Sequence, residues 1–233
     1  MKEDKVDYNA WHQNHEIEDD ITASWHLFAI DCIKKVNVAG ATVLEIGCGR
    51  GGFSDYVIKN YPNVSKLYAC DYSESAVKIG EQKYGNAGGK ISWQKEDIQN
   101  MTFASNAIDI AVSCETIEHI PSSAKGIKEL ARVVKPGGYL ILTCPNYFNL
   151  FGIWCLYRLL IGKPYTEGGQ PFVRYILQPF IYWQLRKNGF RTVHYHSAEL
   201  IIPVRKPIHF FDKKLPKLLQ IFGYRTYYLL QKV

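Results

Sequence analysis

The sequence places a glycine-rich loop directly after a short apolar run that carries one carboxylate. The run is TVLEI (Thr42–Ile46), its carboxylate is Glu45, and GCGRGG follows at residues 47–52. Glycines let a backbone approach a ligand closely at the start of a helix, and this loop also satisfies the G-x-G-x-x-G pattern of dinucleotide-binding proteins. Glu45 argues against a dinucleotide, because a carboxylate repels a pyrophosphate and attracts a cationic amino group.

Two further carboxylates follow the next two strand-like runs. Asp71 comes directly after Lys66–Cys70 and lies 22 residues beyond Gly49. A carboxylate at that place can bind both hydroxyls of a ribose. Asp97 follows the run Ile91–Gln94, where its side chain and Ile98 can meet the edge and the face of an adenine. The three carboxylates therefore favour a ligand other than a nicotinamide dinucleotide.

The elements that must position these groups alternate between strand-like and helix-like segments up to residue 144. Alternating or continuous apolar runs predict strands, and apolar residues at helical spacing predict the helices between them. The predicted strands are Thr42–Ile46, Lys66–Cys70, Ile91–Gln94, Ile108–Ser113, Tyr139–Cys144, Phe190–Tyr195 and Tyr224–Lys232. The predicted helices are Ser24–Val36, Gly52–Asn60, Ser73 to about Tyr84, Ser122–Val134 and Pro179–Gly189. This alternation predicts a parallel sheet wrapped by helices.

Five segments, in order, resemble the motifs of class I S-adenosylmethionine-dependent methyltransferases, in particular the small-molecule enzymes of ubiquinone and menaquinone biosynthesis. They are LEIGCGRGGFS, ACDYSESAV, KEDIQNMTF, IDIAVSCETIEHIP and ELARVVKPGGYLILTCPN, spread over roughly residues 40–146. The resemblance implies an α/β, Rossmann-like fold with a seven-stranded, mostly parallel sheet, helices on both faces and an antiparallel last strand. It also implies S-adenosyl-L-methionine as the cofactor.

The same resemblance assigns residues to the cofactor and to the acceptor. Glu45 is expected at the methionine end of the cofactor, Asp71 at the ribose, and Asp97 with Ile98 at the adenine. The full implied cofactor set is Glu45, Gly47, Cys48, Gly49, Asp71, Tyr72, Asp97, Ile98, Cys114 and Glu115. The segment Tyr8–His12 resembles the aromatic entry segment of this group. Tyr8, Trp11 and Tyr147 are the predicted acceptor contacts.

Methyl transfer to a hydroxyl also needs a group that removes the proton, and Glu115, Glu118 and His119 are the candidates. If Cys114–Ile120 forms a helical turn, all three side chains lie on one face. His119 is then the predicted general base. Two alternatives stay open. The three residues can hold a divalent metal, because ExxEH resembles metal sites of ubiquinone-pathway and small-RNA methyltransferases, or they can serve packing and hydrogen bonding alone.

Charge and aromatic residues divide the chain into two unlike parts. Residues 1–144 carry 15 Lys/Arg and 19 Asp/Glu, whereas residues 145–233 carry 13 Lys/Arg, three acids and 19 of the 32 aromatic residues. Aromatic rings between cations predict recognition of a small-molecule acceptor that is aromatic or linked to a lipid or a glycan. Nucleic acid is a weaker alternative for the basic run that starts at Arg205 and Lys206, and peripheral membrane contact through residues 203–223 is another. The sequence makes no prediction of the oligomeric state.

We interpret the whole chain, 1–233, as one methyltransferase domain. Residues 1–40 are expected to form N-terminal cap helices, 41–146 the cofactor-binding core, and 147–178 and 198–223 insertions on the substrate side. The predicted function is O-methylation of a small biosynthetic intermediate. The alternatives are a nucleic-acid methyltransferase and a catalytically inactive cofactor-binding partner protein. A charged N-terminus and six cysteines without a CxxC pair predict a cytoplasmic protein with free thiols.

Overall fold

The computed structural model describes residues 7–14, 21–166, 169–203 and 208–233, and of residues 208–213 it describes the backbone alone. The helices in these ranges are α1 (Tyr8–Asn14), α2 (Ser24–Lys35), α3 (Gly52–Asn60), α4 (Glu74–Tyr84), α5 (Ser123–Val133), α6 (Leu150–Leu160) and α7 (Gln178–Lys187). The strands are β1 (Thr42–Ile46), β2 (Lys66–Asp71), β3 (Ile91–Lys95), β4 (Ile108–Cys114), β5 (Val134–Pro145), β6 (Phe190–Ile202), β7 (Ile208–Lys214) and β8 (Arg225–Lys232). Short 3₁₀ helices lie at Ile117–His119 and Lys217–Phe222. Arg205 and Lys206 of the predicted basic run lie outside the described residues.

The strands form a mixed sheet in the order β3-β2-β1-β4-β5-β8-β6-β7. Neighbouring strands from β3 to β5 run parallel, and β8 runs antiparallel to both β5 and β6. The predicted α/β, Rossmann-like fold with its antiparallel last strand is confirmed. The sheet has one strand more than the seven predicted, because β7 pairs with the end of β6 within the segment expected to be an insertion.

Side-chain caps begin two of the helices where the sequence predicted them. Ser73 Oγ accepts a hydrogen bond from the Ala76 amide at 3.2 Å, and Ser122 Oγ accepts one from the Lys125 amide at 3.3 Å. Such caps satisfy amides that have no partner inside the helix. Each cap fixes where the chain leaves the carboxyl edge of the sheet, and this edge carries the candidate site.

Apolar residues on the two faces of the sheet form separate packed clusters. One cluster joins α2 and α3 to one face, and the other joins α5 and α7 to the opposite face. A third, smaller cluster lies beyond the end of β5, where Tyr147, Phe151 and Cys155 pack with Ile201 and Tyr224. This third cluster attaches α6 to the end of β6. In the part of the chain that the structure describes, no helix has the length and apolar character needed to cross a bilayer.

Candidate active site

The loop between β1 and α3 follows a path that requires glycine. Gly47, Gly49 and Gly51 have φ values of +80°, +53° and +83°, in the left-handed region that other residues rarely adopt. A Cβ at Gly47 would lie 2.2 Å from Thr116 Oγ1, and one at Gly51 would lie 2.1 Å from Trp93 Cη2. A Cβ at Gly49 would meet nothing within 4 Å. Packing therefore requires glycine at 47 and 51, whereas Gly49 borders open space that a ligand can enter.

Asp71 holds this loop from the end of β2. Its Oδ2 accepts a hydrogen bond from the Gly49 amide at 2.9 Å, and its Oδ1 accepts one from the Ser73 amide at 2.8 Å. Burial raises the pKa of Asp71 to about 6, although the backbone amides of Ser73, Gly49 and Tyr72 oppose the rise. Two carboxylate oxygens have about four acceptor positions, so Asp71 can accept further hydrogen bonds from a ligand.

The other predicted acids end the neighbouring strands. Glu45 is buried on β1, and Ser54 Oγ donates a hydrogen bond to its Oε2. Asp97 follows β3, and its Oδ1 accepts a hydrogen bond from the Gln99 amide at 2.8 Å, next to the buried Ile98. The carboxyl ends of parallel strands meet at one edge of an open α/β sheet, and ligands bind there. The structure therefore brings Glu45, Asp71 and Asp97 to one edge, and Tyr72 lies beside them with a half-exposed side chain.

Two cysteines belong to the same edge. The Cys48 amide donates a hydrogen bond to the Cys70 carbonyl at 2.9 Å, and Cys114 Sγ lies 3.9 Å from the Trp25 carbonyl. Burial raises the pKa of both Cys48 and Cys114 well above the ordinary thiol value. Both thiols therefore stay protonated at neutral pH and act as small packing groups rather than as nucleophiles.

The chain after β4 does not form the helical turn on which one prediction depended. Glu115 has a φ of +48°, in the left-handed region, and the 3₁₀ helix covers Ile117–His119 alone. Glu115 Oε2 consequently lies 2.8 Å from Arg225 Nη1, whereas Glu118 is fully buried next to His119. The predicted single face of Glu115, Glu118 and His119 is wrong, because the left-handed residue redirects the chain between the two glutamates. Among the described residues, no three His, Cys, Asp or Glu side chains form a group that could hold a metal ion.

His119 has a hydrogen bond that determines its tautomer. Its Nδ1 lies 2.8 Å from the Phe172 carbonyl oxygen, and because a carbonyl has no proton to give, Nδ1 donates. In the neutral ring Nε2 is then the nitrogen that can accept a proton. Nε2 lies 3.5 Å from Glu118 Oε1. Burial lowers the pKa of His119, so the ring is neutral at pH 7 and Nε2 is available as a base.

Arg225 is a charged residue of this edge that sequence reasoning missed. It begins β8 opposite Pro145, its Nη1 lies 2.8 Å from Glu115 and its Nε lies 3.0 Å from Glu199. Its guanidinium also stacks over the Trp25 ring, 4.7 Å from the ring centre. The available signal was compositional, because Glu199 is one of three acids in a strongly basic segment. This cluster joins α2, β4, β6 and β8 at the side of the edge away from Asp71.

The first helix lies across the glycine loop. Arg50 Nη2 donates to the His12 carbonyl at 2.7 Å, and Ser73 Oγ lies 3.1 Å from Asn9 Oδ1. The hydroxyl of Tyr8 lies 3.3 Å from both the His119 and the Phe172 carbonyl oxygens. Of the predicted acceptor contacts, Tyr8 and Trp11 therefore belong to a helix over the site.

Tyr147, the third predicted acceptor contact, is buried. Its ring lies 4.9 Å from the ring of Tyr175 and 5.7 Å from that of Tyr224, measured between centroids. The Tyr147 amide donates to the Ile176 carbonyl at 2.7 Å. Tyr147 is thus part of an aromatic wall, and its segment is tied to the stretch around Phe172 that contacts His119.

Comparison with known proteins places this geometry in a family. The family model described as "Methyltransferase domain" matches residues 44–142, which contain the glycine loop, Asp71, Asp97 and His119. The chain is 25% identical over 177 residues to a ubiquinone biosynthesis O-methyltransferase of Coxiella burnetii, covering 71% of this chain and 72% of the relative. It is 28% identical over 197 residues to a demethylmenaquinone methyltransferase of Bacteroides fragilis, covering 80% and 79%.

Residues 44–142 match a methyltransferase domain, and the protein is an S-adenosylmethionine-dependent methyltransferase. S-adenosylmethionine is its cofactor. A solved methyltransferase of Aquifex aeolicus, described as SAM dependent, shares the fold, with 18% identity, a TM-score of 0.59, and coverage of 88% of this chain and 89% of that one. The resemblance predicted from the five motifs is thereby confirmed, as are the enzyme class and the cofactor. The open space over Gly49 and the free acceptor positions of Asp71 fit such a cofactor.

Proposed function

We propose that this methyltransferase methylates a hydroxyl group of a small, hydrophobic acceptor with an aromatic or quinone-type ring. The observation that carries the proposal is the state of His119. Its Nδ1 donates a hydrogen bond to the Phe172 carbonyl oxygen at 2.8 Å. Burial lowers the pKa of the ring, so the ring is neutral at pH 7 and its Nε2 can accept a proton. A hydroxyl needs such a base when it becomes a nucleophile, whereas an amine acceptor that is already neutral does not.

The cofactor side of the proposal assigns one task to each residue of the edge. S-adenosylmethionine, when bound, supplies an electrophilic methyl group on a sulfonium. Asp71 would accept hydrogen bonds from the ribose hydroxyls, and Asp97 with Ile98 would meet the adenine. Glu45, held by Ser54, would attract the cationic amino group of the methionine end, which suits its buried position on β1.

The base side of the proposal uses two adjacent residues. His119 Nε2 would take the proton of the acceptor hydroxyl. The oxygen would receive the methyl group, whose bond to the sulfonium sulfur would break, and the sulfur would leave as a neutral thioether. The imidazolium that results would be stabilised by the Glu118 carboxylate, whose Oε1 lies 3.5 Å from Nε2. Glu118 is fully buried, so its attraction for the imidazolium is weakly screened. Glu118 acts here as a positioning residue, without contact to the acceptor.

The acceptor proposed here is a flat, apolar ring. The rings of Tyr147, Phe151, Tyr175 and Tyr224 pack on one another, with centroid distances of 4.9–6.2 Å, in the cluster that attaches α6 to the end of β6. Because these rings are largely buried, they anchor the segment that carries the Phe172 carbonyl and so hold His119 in place, rather than contact the acceptor themselves. Two relatives named for ubiquinone and menaquinone biosynthesis support the same class of acceptor, and the name of one specifies O-methylation.

The experiment is a methyl-transfer assay with labelled cofactor, a panel of paired acceptors and a set of amine acceptors of the same size. Each pair consists of a hydroxylated aromatic or quinol compound and the same compound with its hydroxyl already methylated. We expect product from the hydroxylated member alone, with one methyl added at oxygen by mass spectrometry and NMR. Transfer to ring carbon, or equal transfer to amine acceptors of the same size, would overturn the proposal.

A further inference from the structure

Large apolar side chains on the surface are concentrated in the C-terminal part of the methyltransferase. Among the described residues, those that are exposed lie beyond position 145 with the exceptions of Leu27 and Tyr72. Helix α6 has the most extensive set. Leu150, Ile153, Tyr157 and Leu160 follow one another at spacings of three and four residues, and Ile153 and Leu160 are 67% and 78% exposed. These spacings place the four side chains on one outward face of α6.

The opposite face of α6 is apolar as well. Phe151 and Cys155 are buried in the cluster that attaches the helix to Ile201 and Tyr224. A surface helix ordinarily has one apolar face against the core and one polar face towards water. Helix α6 makes its core contact through the inner face, so its outer apolar face is an extensive patch that no described residue of the chain covers.

The 3₁₀ helix Lys217–Phe222 extends this patch. Leu218 is 90% exposed, and the ring of Phe222 stacks on the ring of Phe148 with centroids 6.0 Å apart and planes 11° apart. The side-chain amide of Asn146 donates to the Ile221 and Gly223 carbonyls, both at 2.9 Å. The exposed apolar side chains of α6, of Phe148 and of the 3₁₀ helix therefore form one surface, named the α6 surface below. Asn146 ties it to the carboxyl end of β5.

Positive charge surrounds the α6 surface. Helix α6 and residues 217–222 contain no Asp or Glu, and Arg158, Lys163 and Lys217 lie within or beside them. Lys163 and Lys217 are exposed, and Arg158 stacks on the Trp154 ring at 5.3 Å from its centre. A second copy of the same surface would bring like charges together, which opposes self-association. Exposed apolar side chains accompanied by cations and by no acids are instead complementary to a bilayer with anionic headgroups.

We propose that the enzyme docks on anionic lipid bilayers through the α6 surface. The apolar side chains of α6 and of the 3₁₀ helix enter the boundary between headgroups and acyl chains, and the neighbouring cations contact lipid phosphates. Docking goes beyond methyl transfer, because it determines where the enzyme meets its acceptor rather than which atom is methylated. Asn146 follows Pro145, which pairs with Arg225, so the α6 surface is tied to the edge of the sheet that holds Glu115 and Arg225.

Vesicle co-sedimentation of the full-length enzyme tests the proposal without any acceptor. The probes are vesicles of phosphatidylcholine alone and vesicles that also contain phosphatidylglycerol. We expect clear binding to the anionic vesicles, weaker binding to the neutral ones, and partial loss in high salt, because salt screens the headgroup contacts and leaves the apolar ones. The double variant Ile153→Gln/Leu160→Gln should weaken binding about tenfold or more, because two large apolar side chains no longer leave water. Val193→Gln, which changes a half-exposed valine on β6, is the matched control and should bind as the parent does.

The charge component has its own variant. Lys163→Gln/Lys217→Gln should reduce binding to anionic vesicles several-fold and leave binding to neutral vesicles unchanged. Circular dichroism and cofactor affinity, measured for every variant, identify any that fails to fold. Absence of binding by the parent to anionic vesicles would overturn the proposal. So would full binding by a folded Ile153→Gln/Leu160→Gln variant, or a parent dimer that this variant converts to monomer, since the α6 surface would then join two copies of the chain.

Discussion

The ends of β1–β3, where we propose cofactor binding, and the region beyond residue 145, where we propose acceptor binding, are built from different groups. The first region uses backbone amides and carboxylates, as in the pair of Gly49 and Asp71, whose bonded atoms are 2.9 Å apart. The second uses stacked rings and Arg225, whose guanidinium bonds to the carboxylates of Glu115 and Glu199. A ligand common to a whole family can be bound by short motifs. An acceptor that differs from enzyme to enzyme would instead be bound by side chains that no short motif specifies.

The two regions also differ in how local their interactions are. Gly47, Gly49 and Asp71 lie within 25 residues of one another in the chain, and the loop depends on nearby turns. Arg225 meets Glu115 across 110 residues, and the Asn146 side chain bonds to carbonyls 75 and 77 residues away. The proposed acceptor region therefore forms only in the folded sheet, whereas the glycine loop is largely determined by its own sequence.

The substitution His119→Ala should have the largest effect of the variants described here, and it should lower kcat without changing cofactor affinity. We expect kcat to fall about 10²- to 10⁴-fold, because the acceptor hydroxyl loses its base, while cofactor affinity stays within about twofold. Steady-state kinetics and calorimetric titration of the cofactor measure the two effects. His194→Ala, a histidine on β6, is the control and should retain kcat. Unchanged kcat in folded His119→Ala would mean that His119 serves packing and hydrogen bonding alone.

Arg225→Gln tests whether the charge cluster stabilises the acceptor region. The change removes the cation between Glu115 and Glu199 and leaves two partly buried carboxylates near each other. We expect the free energy of unfolding to fall by about 3 kcal/mol, measured by urea denaturation. Adding Glu199→Gln to this variant should restore part of the loss, since one carboxylate then disappears. A loss below about 0.5 kcal/mol would show that the cluster behaves as an exposed ion pair.

Asp71→Asn changes the cofactor region alone. An amide retains the size of the side chain but accepts weaker hydrogen bonds than a carboxylate does. We expect cofactor affinity to fall about ten- to a hundredfold, with kcat at saturating cofactor much less affected. Asp31→Asn, on the exposed surface of α2, is the matched control for the loss of one negative charge. Equal affinity in parent and Asp71→Asn would remove Asp71 from the cofactor site.

The pH dependence of cofactor affinity is the smallest expected effect. Burial raises the pKa of Asp71 to about 6, so the free enzyme loses its carboxylate between pH 7 and pH 5, where an ordinary aspartate is still ionised. If the ionised form alone binds, affinity should fall about twofold at pH 6 and about tenfold at pH 5. Asp71→Asn should lack this dependence. Constant parent affinity from pH 7.5 to pH 5 would contradict the assignment.

Much of the fold was predictable wherever the local sequence pattern favours the same structure that tertiary packing selects. The bounds of β1 and α3 coincide with the predicted ones, and Ser73 and Ser122 cap the helices as predicted. Helix α6 and strand β7 were not assigned. An apolar segment with Asn, Gly and Arg in it fits several local structures, and β7 is recognised by its pairing with the end of the long β6.

The candidate site likewise has one part that the sequence predicts and another part that only the fold decides. The glycine loop, Asp71 and Asp97, together with the resemblance of the five motifs, predicted the methyltransferase, its cofactor and the place where it would bind, because a strand, a tight turn and a helix start are local structures. Only the tertiary structure decided that Glu115 bonds to Arg225, that His119 donates to the Phe172 carbonyl, and that the described residues leave the outer face of α6 exposed. The first depends on a single left-handed residue, and the other two depend on which distant segments the sheet brings together. Contacts across 50 to 110 residues leave no periodic signal in a sequence, so the chemistry of the acceptor side had to be taken from the fold.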